Sequence, residues 1–223
     1  MAEGPVVEIP IFPLPNVVFF PHTHLPLHIF EPRYRQMIGD CLAGDRRLAV
    51  VLLKPGWDKD YYGAPPVYQV AGAGEIVNDE RLPDGRYNIL LRGFARVAIE
   101  EELPSDKLYR IVRARQLPDR YGTTARETLR EALGTLRSAF LRLLTEIQRS
   151  EDQLLNIVSA AGDPGAMLDR IASIVVPEAE SRQKILEALD VEDRLRLVTS
   201  SVLETLLRLS SQKDGGAERS RLN

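Results

Sequence analysis

The stretch Ile9-Pro10-Ile11-Phe12-Pro13-Leu14-Pro15-Asn16-Val17-Val18-Phe19-Phe20-Pro21 decides how the front of this chain folds. Proline holds φ near about −65° and lacks the N–H that a helix interior needs. Four prolines in thirteen residues therefore exclude a helix and confine the apolar residues to edge strands and turns. Val6 to Phe12 reads as a strand, Phe12 to Asn16 as a proline-rich turn, and Val17 to Phe20 as a second short strand closed by Pro21.

Outward from that stretch, Pro32 suits the first turn of a helix, where its missing N–H costs nothing. Tyr34, Met37, Ile38, Cys41 and Leu42 then share one face at three- and four-residue spacing. Leu48 to Leu53 reads as a buried central strand. Val67 to Val70 and Glu75 to Val77 flank Ala71-Gly72-Ala73-Gly74, where glycines inside a strand pattern predict a bulge or a close backbone approach. Tyr87 to Leu91, Phe94 to Ile99 and Leu108 to Ala114 are further strands, and Leu82-Pro83-Asp84-Gly85 is a turn. Many short strands with little helix between them imply a mostly antiparallel, barrel-like β domain over residues 1–120.

The pattern changes near residue 120. Leu129, Leu133, Leu136, Phe140, Leu143, Leu144 and Ile147 form one helical stripe. Ser150 and Gln153 form a capping-box pair ahead of Leu154, Leu155 and Val158, with Gly162 as the stop. Asp163-Pro164 opens another helix, Pro177 ends it, and Glu178 to Leu189 is a short amphipathic helix. Asp190 caps a last helix carrying Val191, Leu195, Val198, Val202, Leu206 and Leu209. The expected class is α+β: a β-rich part over 1–120, a helical part over 121–210, and a flexible polar tail over 211–223.

Composition narrows the chemistry. Cys41 is the sole cysteine, which leaves no intramolecular disulfide and no cysteine-based zinc set, and fits a reducing compartment. The chain opens with no basic-then-apolar leader, and no apolar run approaches the ~20 residues that span a bilayer, so the expectation is a cytoplasmic protein with no membrane partner. A net charge of −3 argues against nucleic acid as a partner. Neither phosphate-binding loop signature occurs, Gly72-Ala73-Gly74 lacks the third glycine of a dinucleotide motif, and no nucleophile elbow is present. The expectation is no catalytic residue, no cofactor and no metal.

Three features still carry possible function. His22, His24 and His28 cluster within seven residues and would serve a metal-dependent hydrolase, although prolines 21 and 26 interrupt the segment. Arg92, Arg96, Arg110, Arg113 and Arg115 lie on successive strands and would suit RNA, but Glu100, Glu101 and Glu102 are available to neutralise them as a solvated sheet face. Trp57, Tyr61 and Tyr62 sit in a loop from Pro55 to Pro66, where aromatics act as plugs or as contacts.

The opening stretch, followed by Leu25-Pro26-Leu27-His28-Ile29-Phe30-Glu31-Pro32-Arg33-Tyr34, resembles the start of the Lon protease N-terminal, substrate-binding domain family. Further similar segments are Gly72-Ala73-Gly74-Glu75-Ile76, Asp84 to Gly93, and Gln183-Lys184-Ile185-Leu186-Glu187 with Asp193-Arg194-Leu195. They occur in the family's order and span roughly residues 8 to 210. His22 and His24 depart from the pattern, which carries glycine or other small residues there. The resemblance implies a PUA-like pseudo-barrel followed by a helical bundle, in a chain that looks like a stand-alone member lacking the motor and peptidase domains. It also implies recognition of unfolded or flexible polypeptide, with homo-oligomer formation compatible. Phe19, Phe20, Trp57, Tyr61 and Tyr62 are the candidate polypeptide contacts. An RNA-binding PUA-like module and the histidine hydrolase are the alternatives.

Overall fold

A computed structural model describes residues 4–60, 63–122, 126–146 and 163–220. The chain forms two compact units, one from the residues up to Pro118 together with Glu178–Leu189, the other from Asp119–Pro177 and the residues from Asp190 onward.

The first unit is built on strands β1 (Val6–Leu14), β2 (His24–Ile29), β3 (Arg47–Leu52), β4 (Val70–Arg81), β5 (Tyr87–Leu103) and β6 (Ile111–Leu117). Their order is β2-β5-β4-β3-β1-β6, and β6 pairs with β5 as well, so five strands close on themselves and β2 is added outside. The 17 residues of β5 make this closure feasible. Its first half pairs with β2 on one side and β4 on the other, and its second half pairs with β6. Register shifts at Ala73/Gly74, Ile76/Asn78 and Ile99/Glu101 supply the bends that closure requires. Only β1 and β3 run parallel. A parallel pair needs a crossover, and helix α1 (Pro32–Ala43) lies in that connection.

Alternation along the strands produces two apolar cores. Ile9, Ile11, Ala49, Val51, Ala71, Ala73, Val97, Val112 and Ala114 form one cluster, and its small alanines suit the interior of a narrow barrel. The opposite faces of β1, β3 and β4 present Phe12, Leu48, Val50 and Ile76 to Tyr34, Met37, Ile38 and Cys41 of α1. Leu42, expected on the same helix face, is half-buried at its edge.

Val17 to Phe20 is not a strand. Asn16 (φ 61) and His22 (φ 60) bracket this segment in the left-handed region, which explains why a small residue suits position 22. The segment instead runs directly over β4 and β5. A Cβ at Gly72 would stand 1.9 Å from the Phe19 carbonyl oxygen, and one at Gly93 would stand 2.2 Å from that of Phe20. Glycine is required at both positions because backbone occupies the space of a side chain. The strand lies further on, at β2. There Gly93 N–H donates to the Thr23 carbonyl at 2.9 Å, and alternation from that pair turns the backbone of Pro26 toward the unpaired edge, where its missing N–H leaves no ladder bond unmade.

The helical unit contains α2 (Arg126–Glu146), α3 (Pro164–Val175) and α5 (Val191–Ser220). Leu136, Phe140, Leu143 and Leu144 are buried as the stripe predicts, while Leu129 and Leu133 are half-buried. Ile147, the Ser150–Gln153 capping box with Leu154, Leu155 and Val158, and Gly162 lie outside the described residues. Asp163 caps α3 by accepting from Ala166 N–H at 2.9 Å, and Asp190 caps α5 by accepting from Glu192 N–H at 2.9 Å.

Two boundaries differ from expectation. Helix α4 (Ala179–Glu187) belongs to the β unit rather than to the helical one. Ile185 and Leu186 are buried there, Gln183 Nε2 donates to the Val70 carbonyl at 2.9 Å, and Leu186 accepts from Arg96 Nε at 2.9 Å. The polar tail expected from residue 211 is helical through Ser220, across Gly215 and Gly216. Among the described residues no helix is long and apolar enough to cross a membrane.

Candidate functional site

The β unit carries a solvent-open depression between the Pro55–Pro66 loop and the segment entering β6. The loop is tied at its base, where Lys54 N–H donates to the Pro66 carbonyl and Tyr68 N–H to that of Leu52, both at 2.9 Å. Arg110 reaches across from the other side, with Nη1 donating to the Pro65 carbonyl at 3.0 Å. Pro13, Tyr34, Leu53 and Tyr109 supply apolar surface, and Arg33, Arg110 and the exposed Leu108 stand around it. The cavity volume is about 80 Å³.

Helix α1 pins the opposite wall. Gln36 Oε1 accepts from Leu108 N–H at 3.0 Å, and Asp40 accepts from the Tyr109 hydroxyl at 2.8 Å and pairs with Lys107 Nζ at 3.1 Å. The tyrosine hydrogen bond, aided by Lys107, holds the Asp40 carboxyl below its usual range. Burial, then the bond to Asp40 and its charge, pushes the Tyr109 phenol up, so it stays a hydrogen-bond donor across the physiological range. Leu108 is thus 64% exposed on a backbone that is held in place.

Its charges are matched locally. Arg33 Nε meets Glu31 at 3.0 Å, and Arg110 meets Glu102 through Nε at 3.0 Å and Nη2 at 2.7 Å. Arg33 also lies over the Tyr34 ring at 4.6 Å, and that ring packs on Phe12 at 4.3 Å.

The candidate contacts read from sequence separate. Phe19 and Phe20 are 2% and 0% exposed, so as placed they are core residues and offer no contact surface. The apolar segment that looks free in the sequence is received by the glycines of β4 and β5. Trp57 begins a short 3-10 helix (Trp57–Asp60) in the loop bordering the depression and is half-buried. Tyr61 and Tyr62 lie outside the described residues. Leu108 and Tyr109 were legible only as the start of a strand. The polar run Ser105-Asp106-Lys107 before an exposed leucine was the available signal.

The other constellations resolve differently. His28 Nδ1 is 2.7 Å from Asn88 Oδ1 and Nε2 is 3.2 Å from Arg86 Nη1, so both ring nitrogens are engaged. His24 stands four residues away along β2, roughly 13 Å at strand rise, beyond a shared ion. Among the described residues no group of three or more histidine, cysteine or acidic side chains could hold a metal ion. Arg92 meets Glu75 at 3.0 Å, Arg115 meets Glu100 at 2.6 Å, and Arg113 pairs with Glu101. Arg96 leaves that set, being buried under α4. These strand arginines form a charge-matched face. Burial, then the charges of Asp45 and Asp40, pushes the Cys41 thiol up to about 12, so it is unreactive in the fold.

Residues 8–204 match the family described as the ATP-dependent protease La (LON) substrate-binding domain. The chain belongs to this family. It is 30% identical over 195 residues to the Lon protease of Heliobacterium modesticaldum, covering 87% of this chain and 23% of that one. It is likewise 30% identical over 212 residues to Lon protease 2 of Sorangium cellulosum, covering 93% of this chain and 26% of that one. The chain therefore spans about a quarter of the length of these curated relatives. The fold is shared with a Lon N-terminal domain protein from Xanthomonas campestris (TM-score 0.63, 21% identity, covering 87% of this chain and 98% of that one). It is shared too with the N-terminal domain of a Mycobacterium avium complex Lon protease (TM-score 0.68, 18% identity, 88% and 98%). The α+β class and the Lon-type architecture read from sequence hold.

Proposed function

We propose that this chain is a polypeptide-recognition module of the Lon type, which captures unfolded or flexible segments in protein quality control and performs no chemistry on them itself. The observation that carries this reading is the match to a substrate-binding family over residues 8–204. The depression of the β unit, where Pro13, Tyr34, Leu53 and Tyr109 stand beside Arg33 and Arg110, supports it as a concave surface of mixed character. Trp57, half-buried in the bordering loop, is proposed as a contact.

The test is retention on the immobilised full chain. A polypeptide reduced and alkylated with an uncharged reagent should be retained, and the same polypeptide in its native fold should pass through. Equal passage of both forms overturns the reading.

A further inference from the structure

We infer that helix α4 is a latch: it holds the Val17–Phe20 segment closed over β4 and β5, and that segment opens only when α4 leaves its seat.

Three polar anchors seat α4, at places far apart in sequence. Arg182 Nη2 donates to the Asn16 carbonyl at 2.6 Å, Gln183 Nε2 to that of Val70 at 2.9 Å, and Arg96 Nε to that of Leu186 at 2.9 Å. The first of these bears on the segment. The segment's other end is pinned to β5, where His22 N–H donates to the Gly93 carbonyl at 2.9 Å. It is thus fastened at one end to the sheet and at the other to α4.

Little holds α4 itself. Nine residues are too few for a helix to persist without tertiary contacts. Glu178 at its N-terminus makes no side-chain cap, and Ala188 at its C-terminus is extended where glycine would close a cap. Ile185 and Leu186 are its buried apolar side chains. Docking also carries costs. Gln183 Oε1 is buried and accepts no hydrogen bond among the described residues. Burial lowers the Arg182 guanidinium, with the charge of Glu178 acting against it. The chain on both sides of α4 belongs to the helical unit, so α4 can leave the β unit and return as one piece without threading.

Backbone strain favours opening. Asn16 and His22 stand in the left-handed region at φ 61 and φ 60, and His22 does so with a bulky side chain. Against this, Phe19 and Phe20 are buried in the closed form, which keeps the segment down while α4 is seated. Opening relieves the strain and uncovers both rings.

The experiment is native-state hydrogen exchange of the full chain, read by mass spectrometry on peptides covering α4, residues 17–22 and β3. Gln183→Ala, and Gln183→Met, which keeps the bulk, remove the bonds to Val70 and Glu187, neither of which involves the segment. Either should raise exchange in α4 and in residues 17–22 by a common factor of about fivefold or more, with β3 unchanged. Lys184→Ala, at an exposed position on the same helix, should change neither. Arg182→Ala should uncouple the two, so that adding Gln183→Ala then accelerates α4 alone. A rise confined to α4 in the single Gln183 variants shows that the segment closes by itself and overturns the latch. A rise shared equally by β3 makes α4 part of the global core and overturns it as well, as does unchanged exchange in every peptide.

Discussion

The paired arginines of the sheet face and Arg194 of the helical unit are neutralised in opposite settings. On β5, on β6 and just before β6, Arg92, Arg110, Arg113 and Arg115 lie at the surface, each facing a glutamate. In the helical unit Arg194 of α5 is fully buried, 2.6 Å from Asp119 and 3.4 Å from an equally buried Asp169 of α3. Burial alone would lower the Arg194 guanidinium, but the hydrogen bonds to Asp119 and the charges of Asp169 and Asp119 outweigh it and hold it above its ordinary value. Surface pairs keep a sheet face soluble and neutral at little gain in stability. The buried group joins Asp119, α3 and α5, three segments distant in sequence. A buried ion pair adds little over an apolar substitute, yet losing one partner strands charge in the interior.

Four measurements would break or sharpen that contrast. Arg194→Ala should cost about 3–5 kcal/mol in urea unfolding followed by helical circular dichroism, because Asp119 and Asp169 lose their counter-ion. A loss below about 1 kcal/mol would place this group with the surface pairs. Gly93→Ala is a constraint of backbone alone in the β unit. It should cost about 1–3 kcal/mol in thermal melting by pushing the Phe20 carbonyl away, and an unchanged melting curve would mean the segment yields freely. Glu101→Gln should change stability by less than about 1 kcal/mol and erase part of its salt dependence, and a larger loss would show that the surface ladder is structural.

The smallest effect is expected from Asp40→Asn in the acid range. The folded pKa of Asp40 is depressed, so its contribution is present above the unfolded value of 3.8 and disappears as pH falls through the lower folded value. Denaturation midpoints of wild type and variant, followed downward from about pH 6, should therefore converge only below that value. A gap that persists unchanged at the acid end would show that Asp40 acts through geometry and not charge.

The elements were legible where periodicity is strong. The α1 face, the stripe on α2 and the aspartate caps at 163 and 190 follow from local spacing and local hydrogen bonds. The β2 strand was obscured because Pro26 is a strand breaker everywhere except on a free edge, and a free edge is a property of the sheet. Gly72-Ala73-Gly74 announced a close approach, but not that Phe19, some fifty residues earlier, would be what approaches. The site was read less well for the same reason. An apolar pair between prolines has identical local chemistry whether it is buried or offered to a partner. Trp57 was read from sequence as a loop aromatic, while Leu108 becomes conspicuous only once Gln36 and Asp40 are seen holding its surroundings.

By itself the sequence determined the class of each half, the family, and the want of recognised catalytic motifs, because these rest on residue types and short spacings. The tertiary structure alone decided which apolar residues are interior, which arginines are neutralised, and that α4 belongs with the barrel. Those outcomes depend on pairs far apart along the chain, such as Arg96 with Leu186 and Arg194 with Asp119. Local chemistry sets what a residue can do, and the long-range partner determines which of those things it does.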